Sequence, residues 1–340
     1  MPISPVSAIT RAATRKDGEP LNILTFCTHE RYETSLAKTG HNFYAYLAEG
    51  IKEWNTNYGE IPQNYTLLEK NLGPNQIPLG IDLDLILSQN KFGQFQVAHP
   101  LSRQLHLPLV SLEHTLPVPS WPEQQMLALQ NMRGDFNVFI SEFSLGEWGW
   151  ENLNDTGTIH HGVDCNLFHL SEAERKPHCL SVVNDWINRD WCCGYSIWKE
   201  VIDGFPFRVV GDTPGLSEPA SSIEDLVKEY QNSLVFVNTS TISPYPTALL
   251  EAMACGCAVV STNTCMIPEI IENGHNGFTF DNANDMRSRI ESLLSDPDKA
   301  KEIGRNASET IKEKFSEGLF INRWNEVFES ASKFVRKEIT

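Results

Sequence analysis

The chain has 340 residues, of which 41% are hydrophobic and 21% charged, the balance of a folded protein long enough for two domains and not of a disordered one. Its 27 Lys and Arg against 44 Asp and Glu give a formal net charge of −17, which repels nucleic acid and anionic membranes at long range and makes a nucleic-acid partner unlooked for. No run of 18 apolar residues predicts a spanning helix, which leaves only peripheral membrane contact open.

In chain order, residues 1–20, rich in Pro, Ser, Thr and Ala, read as a loosely ordered lead-in without a secretory-signal pattern. Residues 21–28 (Leu-Asn-Ile-Leu-Thr-Phe-Cys-Thr) then read as a buried first strand. A polar loop follows over 29–39, and Gly40 precedes an amphipathic helix predicted over 41–54. Strands are expected at 65–68, 83–88, 107–112 and 136–140, with helices near 95–105 and 123–132 between them. A second series begins near His178, with strands at 179–183, 207–210, 234–238 and 258–261. Its helices are expected at 223–230, 248–254, 284–294 and 299–314.

Strands alternating with helices imply a parallel sheet with helices on both faces, and the pattern occurs twice. The fold class is therefore α/β with two domains, over 21–170 and 171–316, and residues 164–177 hold the linker. A last helix over 317–336 places Phe320, Trp324, Val327, Phe328, Ala331 and Val335 at helical spacing. Pattern alone fits packing on its own domain and bridging back to the first equally well.

The eight cysteines are Cys27, Cys165, Cys179, Cys192, Cys193, Cys255, Cys257 and Cys265. Several lie in apolar runs and read as reduced, mostly buried thiols of a cytoplasmic protein. The adjacent pairs Cys192-Cys193 and His160-His161 are poor zinc spacing, so no metal site is expected. Trp148, Trp150, Trp186, Trp191 and Trp198 could each stack on a sugar or a base, or serve as core and rim. None is singled out.

The segment over 243–269 carries the chemistry. Pro244 and Pro246 stop any earlier helix, and Thr247 reads as the N-cap of a helix that ends at Gly256. A strand, a loop and a helix in that order point helix N–H groups outward at the C-terminal edge of a parallel sheet, where a diphosphate can bind. Glu251, one turn in, can accept hydrogen bonds from two vicinal hydroxyls such as those of a ribose, or can merely complement the helix dipole.

The run Leu249-Leu250-Glu251-Ala252-Met253-Ala254-Cys255-Gly256-Cys257-Ala258-Val259-Val260 resembles the signature of family 4 (group 1) glycosyltransferases. So do Ile267-Pro268-Glu269-Ile270-Ile271 and Gly274-His275-Asn276-Gly277-Phe278. Residues 159–168 resemble the family's Asn-Gly-Val-Asp-x-x-x-Phe element, with His161 where Asn is usual. The resemblance implies a GT-B fold, two Rossmann-like domains with parallel sheets facing a central cleft. It also implies a C-terminal domain that binds a nucleotide-diphosphate sugar and an N-terminal domain that binds the acceptor. Catalysis is implied to retain anomeric configuration and to need no cofactor or metal. The final helix is implied to cross back to the first domain.

Carried over residue by residue, Glu251 matches the second Glu of the family's Glu-x7-Glu motif, and the first falls on Ser243, where the carboxylate is absent. The backbone N–H groups of Thr247, Ala248 and Leu249 would serve the phosphate and sugar. Arg189 is the only cation in residues 182–194 and takes the role of phosphate ligand, while the family's Lys falls on Cys193. A cation is needed there because charge grows on the departing nucleotide; the competing reading is a surface Arg paired with Asp190. His114, at the end of a first-domain strand, matches a His facing the donor sugar, with a structurally satisfied His as the competing reading, and Gly40 loosely matches a glycine that lets the backbone approach phosphate. Glu269 is placed beside the site. Cys265-Met266 stand where the family has Gly-Gly.

The expected function is a retaining glycosyltransferase moving a sugar from a nucleotide sugar to a saccharide or other hydroxyl acceptor. The alternative, motivated by Ser243 and the missing Lys, is a non-catalytic sugar-nucleotide or glycan-binding module. A dinucleotide-dependent oxidoreductase is disfavoured because no Gly-x-Gly-x-x-Gly follows the first strand.

Overall fold

The computed structural model describes residues 5–16, 18–78, 80–118, 120–150 and 155–334. The chain divides into two compact units, Met1–His161 with Gly318–Thr340, and Gly162–Glu317. The change of unit falls earlier than the expected linker. Residues after 161 are stitched into the second unit: Val163 N–H donates to Phe315 O at 2.8 Å, and Glu317 N–H donates to Val163 O at 2.9 Å.

The first unit begins with a helix, α1 (Pro5–Thr14), where a loosely ordered lead-in was expected. Arg11 anchors it, its Nε donating to Asp84 Oδ1 at 2.7 Å. There follow β1 (Asn22–Thr25), α2 (Glu30–Ala37), β2 (Asn42–Ala45), β3 (Tyr65–Leu67), β4 (Leu85–Ser88), α3 (Gln94–Leu105), β5 (Leu109–Glu113), α4 (Glu123–Gln130), β6 (Phe136–Phe139), α5 (Glu142–Glu147) and β7 (Thr156–Thr158). The seven strands form one sheet in the order β3-β2-β1-β4-β5-β6-β7, every neighbouring pair parallel.

Two expectations are corrected here. The polar loop over 29–39 contains α2, and the helix over 41–54 is replaced by β2 and an irregular connection. Glu30 and Glu33 misled the pattern because both are buried. Glu30 accepts from Lys52 Nζ at 2.7 Å and Asn55 N–H at 2.9 Å, while Glu33 accepts from Gln89 Nε2 at 2.7 Å and Thr28 N–H at 3.0 Å. Buried acids with that many donors cost far less than unpaired ones, so the helix tolerates them on its inner face.

The second unit runs β8 (Lys176–Val182), α6 (Asp190–Cys193), α7 (Tyr195–Ile202), β9 (Phe207–Val210), α8 (Ile223–Asn232), β10 (Ser233–Asn238), α9 (Thr247–Ala254), β11 (Ala258–Thr262), α10 (Ile267–Ile270), β12 (Phe278–Phe280), α11 (Ala283–Ser295) and α12 (Pro297–Lys314). Its five strands are parallel, in the order β12-β11-β10-β8-β9. Alternation along β10 sends Val235 and Val237 into a core with Trp198, Val201, Met286 and Ile290 of α7 and α11. Phe236 faces the other way, onto Tyr230 of α8 with ring centroids 5.9 Å apart.

Helix α9 ends at Gly256, in the left-handed region at φ 82°. A Cβ on Gly256 would strike Leu170 and Arg175, and one on Gly304 of α12 would strike the Gly256 carbonyl, so the two backbones meet at a contact open only to glycine. Arg175 is buried beneath, donating to the carbonyls of Tyr230, Ser233 and Cys255.

The last helix, α13 (Glu317–Ser332), belongs with the first unit from Gly318 onward. Its Trp324 Nε1 donates to Tyr32 Oη at 3.1 Å, and Phe320 meets Tyr32 edge-on. Val335, expected on its apolar stripe, lies outside the described residues. All eight cysteines are free thiols. Among the described residues no helix is long and apolar enough to cross a membrane.

Candidate functional site

In the second unit the chain leaves β8 toward β9 on one side and later returns to β10 on the other. The loops after β8 and β10 therefore diverge from adjacent strands at the C-terminal edge of the sheet, the crevice where open α/β sheets bind ligands. Sequence reasoning placed Arg189 in the first of these loops, and Ser243 and the start of α9 at the end of the second.

The structure joins the two loops closely. Cys192 O accepts from Thr241 N–H at 2.9 Å and Ile242 N–H at 3.1 Å, and Thr239 Oγ1 donates to Gly194 O at 2.9 Å. Gly194, at φ 64°, is the contact point: a Cβ there would run into the Thr239 carbonyl. Arg189 is exposed at the N-terminal boundary of α6. The carboxylate of Asp190, its alternative partner, accepts from Ser196 N–H at 2.7 Å and Oγ at 2.6 Å. Cys193, in the place of the family's Lys, is buried, and burial pushes its thiol up to about 11.

Thr247 is not the N-cap of α9. Pro246 holds that position, which provides no side-chain cap, and Thr247 is the first helical residue. Of the three N–H groups expected to serve a phosphate, two are engaged: Thr247 N–H donates to Tyr245 O at 3.0 Å and Leu249 N–H to Pro246 O at 3.0 Å. The N–H of Ala248 donates to no backbone acceptor among the described residues, so the anion-binding capacity of this helix end is concentrated there.

Glu251 is 4% exposed and accepts from Tyr230 Oη at 3.0 Å. Sequence reasoning missed Tyr230, whose partner lies 21 residues away and on another helix. Tyr230 is thus one of the groups that orient this carboxylate.

Ser243 is half-buried. Its N–H donates to Cys265 Sγ at 3.4 Å, and Cys265 has the left-handed backbone, φ 52°, that the family's glycine would adopt freely. The same two loops share further bonds, Ser240 O accepting from Thr262 Oγ1 at 2.6 Å and Thr264 Oγ1 at 2.8 Å. Glu269 is exposed on α10, and its charge adds to the burial that keeps Tyr245 protonated.

The remaining two expected residues lie in the first unit, and the structure moves Gly40 away from the ligand edge. Gly40 closes the turn from α2 into β2, its N–H donating to Ala37 O at 3.1 Å. It therefore stands at the N-terminal edge of the sheet, opposite the ligand edge, because the strand it precedes is β2 and not a helix. His114 does follow β5 at the C-terminal edge, but both ring nitrogens are engaged: Nδ1 lies 3.3 Å from His161 Nε2, and Nε2 lies 3.4 Å from Gln89 Oε1. Burial, with the nearby His29, pushes the imidazole down to about 3. Among the described residues no three His, Cys, Asp or Glu side chains gather as metal ligands.

Residues 219–310, which include α8, β10, α9 and Glu251, match the family described as Glycosyl transferases group 1. Over this stretch the chain is similar to the group 1 glycosyltransferases. Two relatives match part of the chain. Alpha-maltose-1-phosphate synthase of Mycolicibacterium smegmatis is 34% identical over 111 residues, 30% of this chain and 27% of that protein. N,N'-diacetylbacillosaminyl-diphospho-undecaprenol alpha-1,3-N-acetylgalactosaminyltransferase of Campylobacter jejuni is 29% identical over 113 residues, 33% of this chain and 30% of that protein. The match thus spans under a third of the length of these curated relatives.

Whole-chain likeness comes from solved structures and concerns the fold. HepE of Anabaena, in complex with UDP and glucose, superposes with a TM-score of 0.70 at 16% identity, over 91% of this chain and 100% of that one. A Rickettsia africae glycosyltransferase gives 0.71 at 16% identity, over 92% and 99%. The chain therefore has the GT-B fold, with parallel sheets of seven and five strands.

Proposed function

We propose that the protein moves a sugar from a nucleoside-diphosphate sugar to a hydroxyl of a saccharide acceptor, with retention at the anomeric carbon and without a metal ion. One observation carries this reading. The loops after β8 and β10 are bonded to each other at the switch point of the second sheet, and they hold Arg189 and the first turn of α9 at the same edge. Ala248 N–H and the positive end of α9 would receive the diphosphate, with Arg189 as counter-charge. Glu251 would take the ribose hydroxyls while keeping Tyr230. In the transfer, the bond from the anomeric carbon to the phosphate oxygen breaks and its electron pair stays on the diphosphate. The acceptor oxygen bonds to that carbon from the same face, and its proton passes to the departing diphosphate. Negative charge grows on the leaving group, which is where a fixed cation and an N–H lower the barrier. The UDP and glucose held by HepE fit this reading.

A second reading stays in play because Ser243 and Cys193 stand where the family has Glu and Lys: the same site binding a nucleotide sugar without turning it over. One experiment separates the two. Wild type and Arg189→Ala are titrated by calorimetry with UDP-glucose, GDP-mannose and dTDP-glucose, and free nucleoside diphosphate is assayed with saccharide acceptors, with and without EDTA. Transfer that survives EDTA, gives product of unchanged anomeric configuration and is lost in Arg189→Ala supports the first reading. Binding without nucleotide release supports the second, and no binding to any donor overturns both.

A further inference from the structure

Trp191 is 71% exposed, the most exposed of the large hydrophobic side chains described, yet its backbone is held rigidly. It sits in α6, a single turn whose carbonyls are all engaged. Asp190 O accepts from Gly194 N–H at 2.9 Å, Trp191 O from Thr241 Oγ1 at 2.9 Å, Cys192 O from Thr241 and Ile242 N–H, and Cys193 O from Trp186 Nε1 at 2.8 Å. Two further exposed aliphatic residues flank it: Ile187, 44% exposed, one turn earlier, and Ile242, 40% exposed, in the loop bonded to Cys192. An indole kept out of water by nothing, on a mount this fixed, is an apolar plane presented at the ligand edge of the sheet.

Its place relative to the proposed diphosphate site limits what it can meet. Helices α8 and α9 pack on one face of the sheet, and α6 leads into α7, which with α11 packs on the other. Glu251, the proposed ribose ligand, is turned toward Tyr230 of α8. Trp191 O accepts instead from Thr241 Oγ1, and the adjacent Cys192 O accepts from the Thr241 and Ile242 N–H groups, next to Ser243. Glu251 and Trp191 thus stand on elements associated with opposite faces of the sheet, which favours a sugar over the base as the ring at Trp191. The engaged carbonyls leave α6 little with which to read hydroxyls. Recognition at this point is by face, as the C–H face of a pyranose stacks on an aromatic plane.

We propose that Trp191, widened by Ile187 and Ile242, is a stacking platform for a pyranose ring, either the sugar of the donor or a sugar of the acceptor. This rests on the glycosyl-donor reading above. The test uses wild type, Trp191→Ala and Trp191→Phe, titrated with UDP, GDP, UDP-glucose, UDP-N-acetylglucosamine and GDP-mannose, and with maltose in the presence of UDP. The expected result is unchanged affinity for the free nucleoside diphosphates in all three proteins. In Trp191→Ala, sugar-dependent binding falls about tenfold, and Trp191→Phe restores most of it. A loss confined to the nucleotide sugars assigns the platform to the donor sugar, and one confined to maltose assigns it to the acceptor. Equal loss for UDP or GDP and the corresponding nucleotide sugar overturns the platform, as does wild-type behaviour in Trp191→Ala. A wild type that binds no nucleoside diphosphate overturns the parent reading instead.

Discussion

Ser243 donates its backbone N–H to the thiol of Cys265 at 3.4 Å, so two positions at which this chain departs from its family pattern touch one another. The thiol supplies a weak acceptor, and the backbone that presents it is held at φ 52°, which costs a non-glycine residue roughly 1 kcal/mol. Cys265→Gly is expected to leave stability unchanged or raise it by up to about 1 kcal/mol in urea denaturation, while amide exchange at Ser243 quickens. Marked destabilisation would mean that the thiol contact outweighs the strain.

Glu251 and Tyr230 offer a test that separates folding from binding. Glu251→Ala leaves the buried Tyr230 hydroxyl without its acceptor and is expected to cost about 1–3 kcal/mol of stability. Glu251→Gln keeps an acceptor, so stability should change by less than about 1 kcal/mol, with nucleotide affinity reduced by roughly tenfold. Equal nucleotide affinity in wild type and Glu251→Gln by calorimetry would remove the carboxylate from the site.

Gly194→Ala places a methyl against the Thr239 carbonyl from a left-handed backbone. The expected loss is about 3 kcal/mol or more, read by thermal denaturation, because neither loop can retreat without breaking the bonds between residues 192–194 and 239–242.

Burial pushes the carboxyl of Glu33 up to about 8 from its ordinary 4.5. The unfolded chain releases this proton from about pH 4.5 upward, whereas the folded chain keeps it to about 8. The folded state therefore binds more protons across that window, and this group's contribution to stability falls as pH rises through it. Glu33→Gln cannot ionise. Its stability advantage over wild type should grow between pH 5 and pH 8 to the order of 1 kcal/mol or more, seen in urea midpoints across the range.

The Gln89 amide nitrogen donates to Glu33 Oε1 at 2.7 Å and Phe26 O at 3.1 Å, which turns its oxygen toward His114 Nε2. His114 is thereby set as the neutral Nε2–H tautomer, with Nδ1 accepting from His161. Nitrogen-15 chemical shifts should report that tautomer from pH 8 down to pH 5, because the imidazole is pushed down to about 3. An imidazolium appearing near pH 6 would show that the pair opens in solution.

The second unit was largely legible in its sequence, and the first only in part. β9 begins and ends where its apolar run does, and β10, α9 and β11 differ from expectation by a residue at most, since apolar strands and a Gly-terminated helix are local signals. α2 was hidden because its inward face carries Glu30 and Glu33, whose partners Lys52, Asn55, Thr28 and Gln89 lie outside the helix. Gly40 was misplaced as a direct result, since its role depended on which element follows it. In the candidate site, the placement of Arg189 after β8 and of α9 after β10 could be read from the sequence. The engagement of Thr247 and Leu249 N–H by Tyr245 and Pro246, the Tyr230 hydroxyl on Glu251 and the left-handed Cys265 depend on loop conformation and long-range contacts.

Helix α9 spans about 12 Å at 1.5 Å per residue, with Ala248 near one end and the Gly256–Gly304 backbone contact just past the other. A helix that short and well buried moves as one body. A side chain at Gly256 or Gly304 would shift it bodily, and the N–H groups at its opposite tip would travel by the same amount. The reach of this helix toward a ligand is therefore metered at its far end, by two residues no ligand touches. Substitutions there should appear first as altered affinity, before they appear as unfolding.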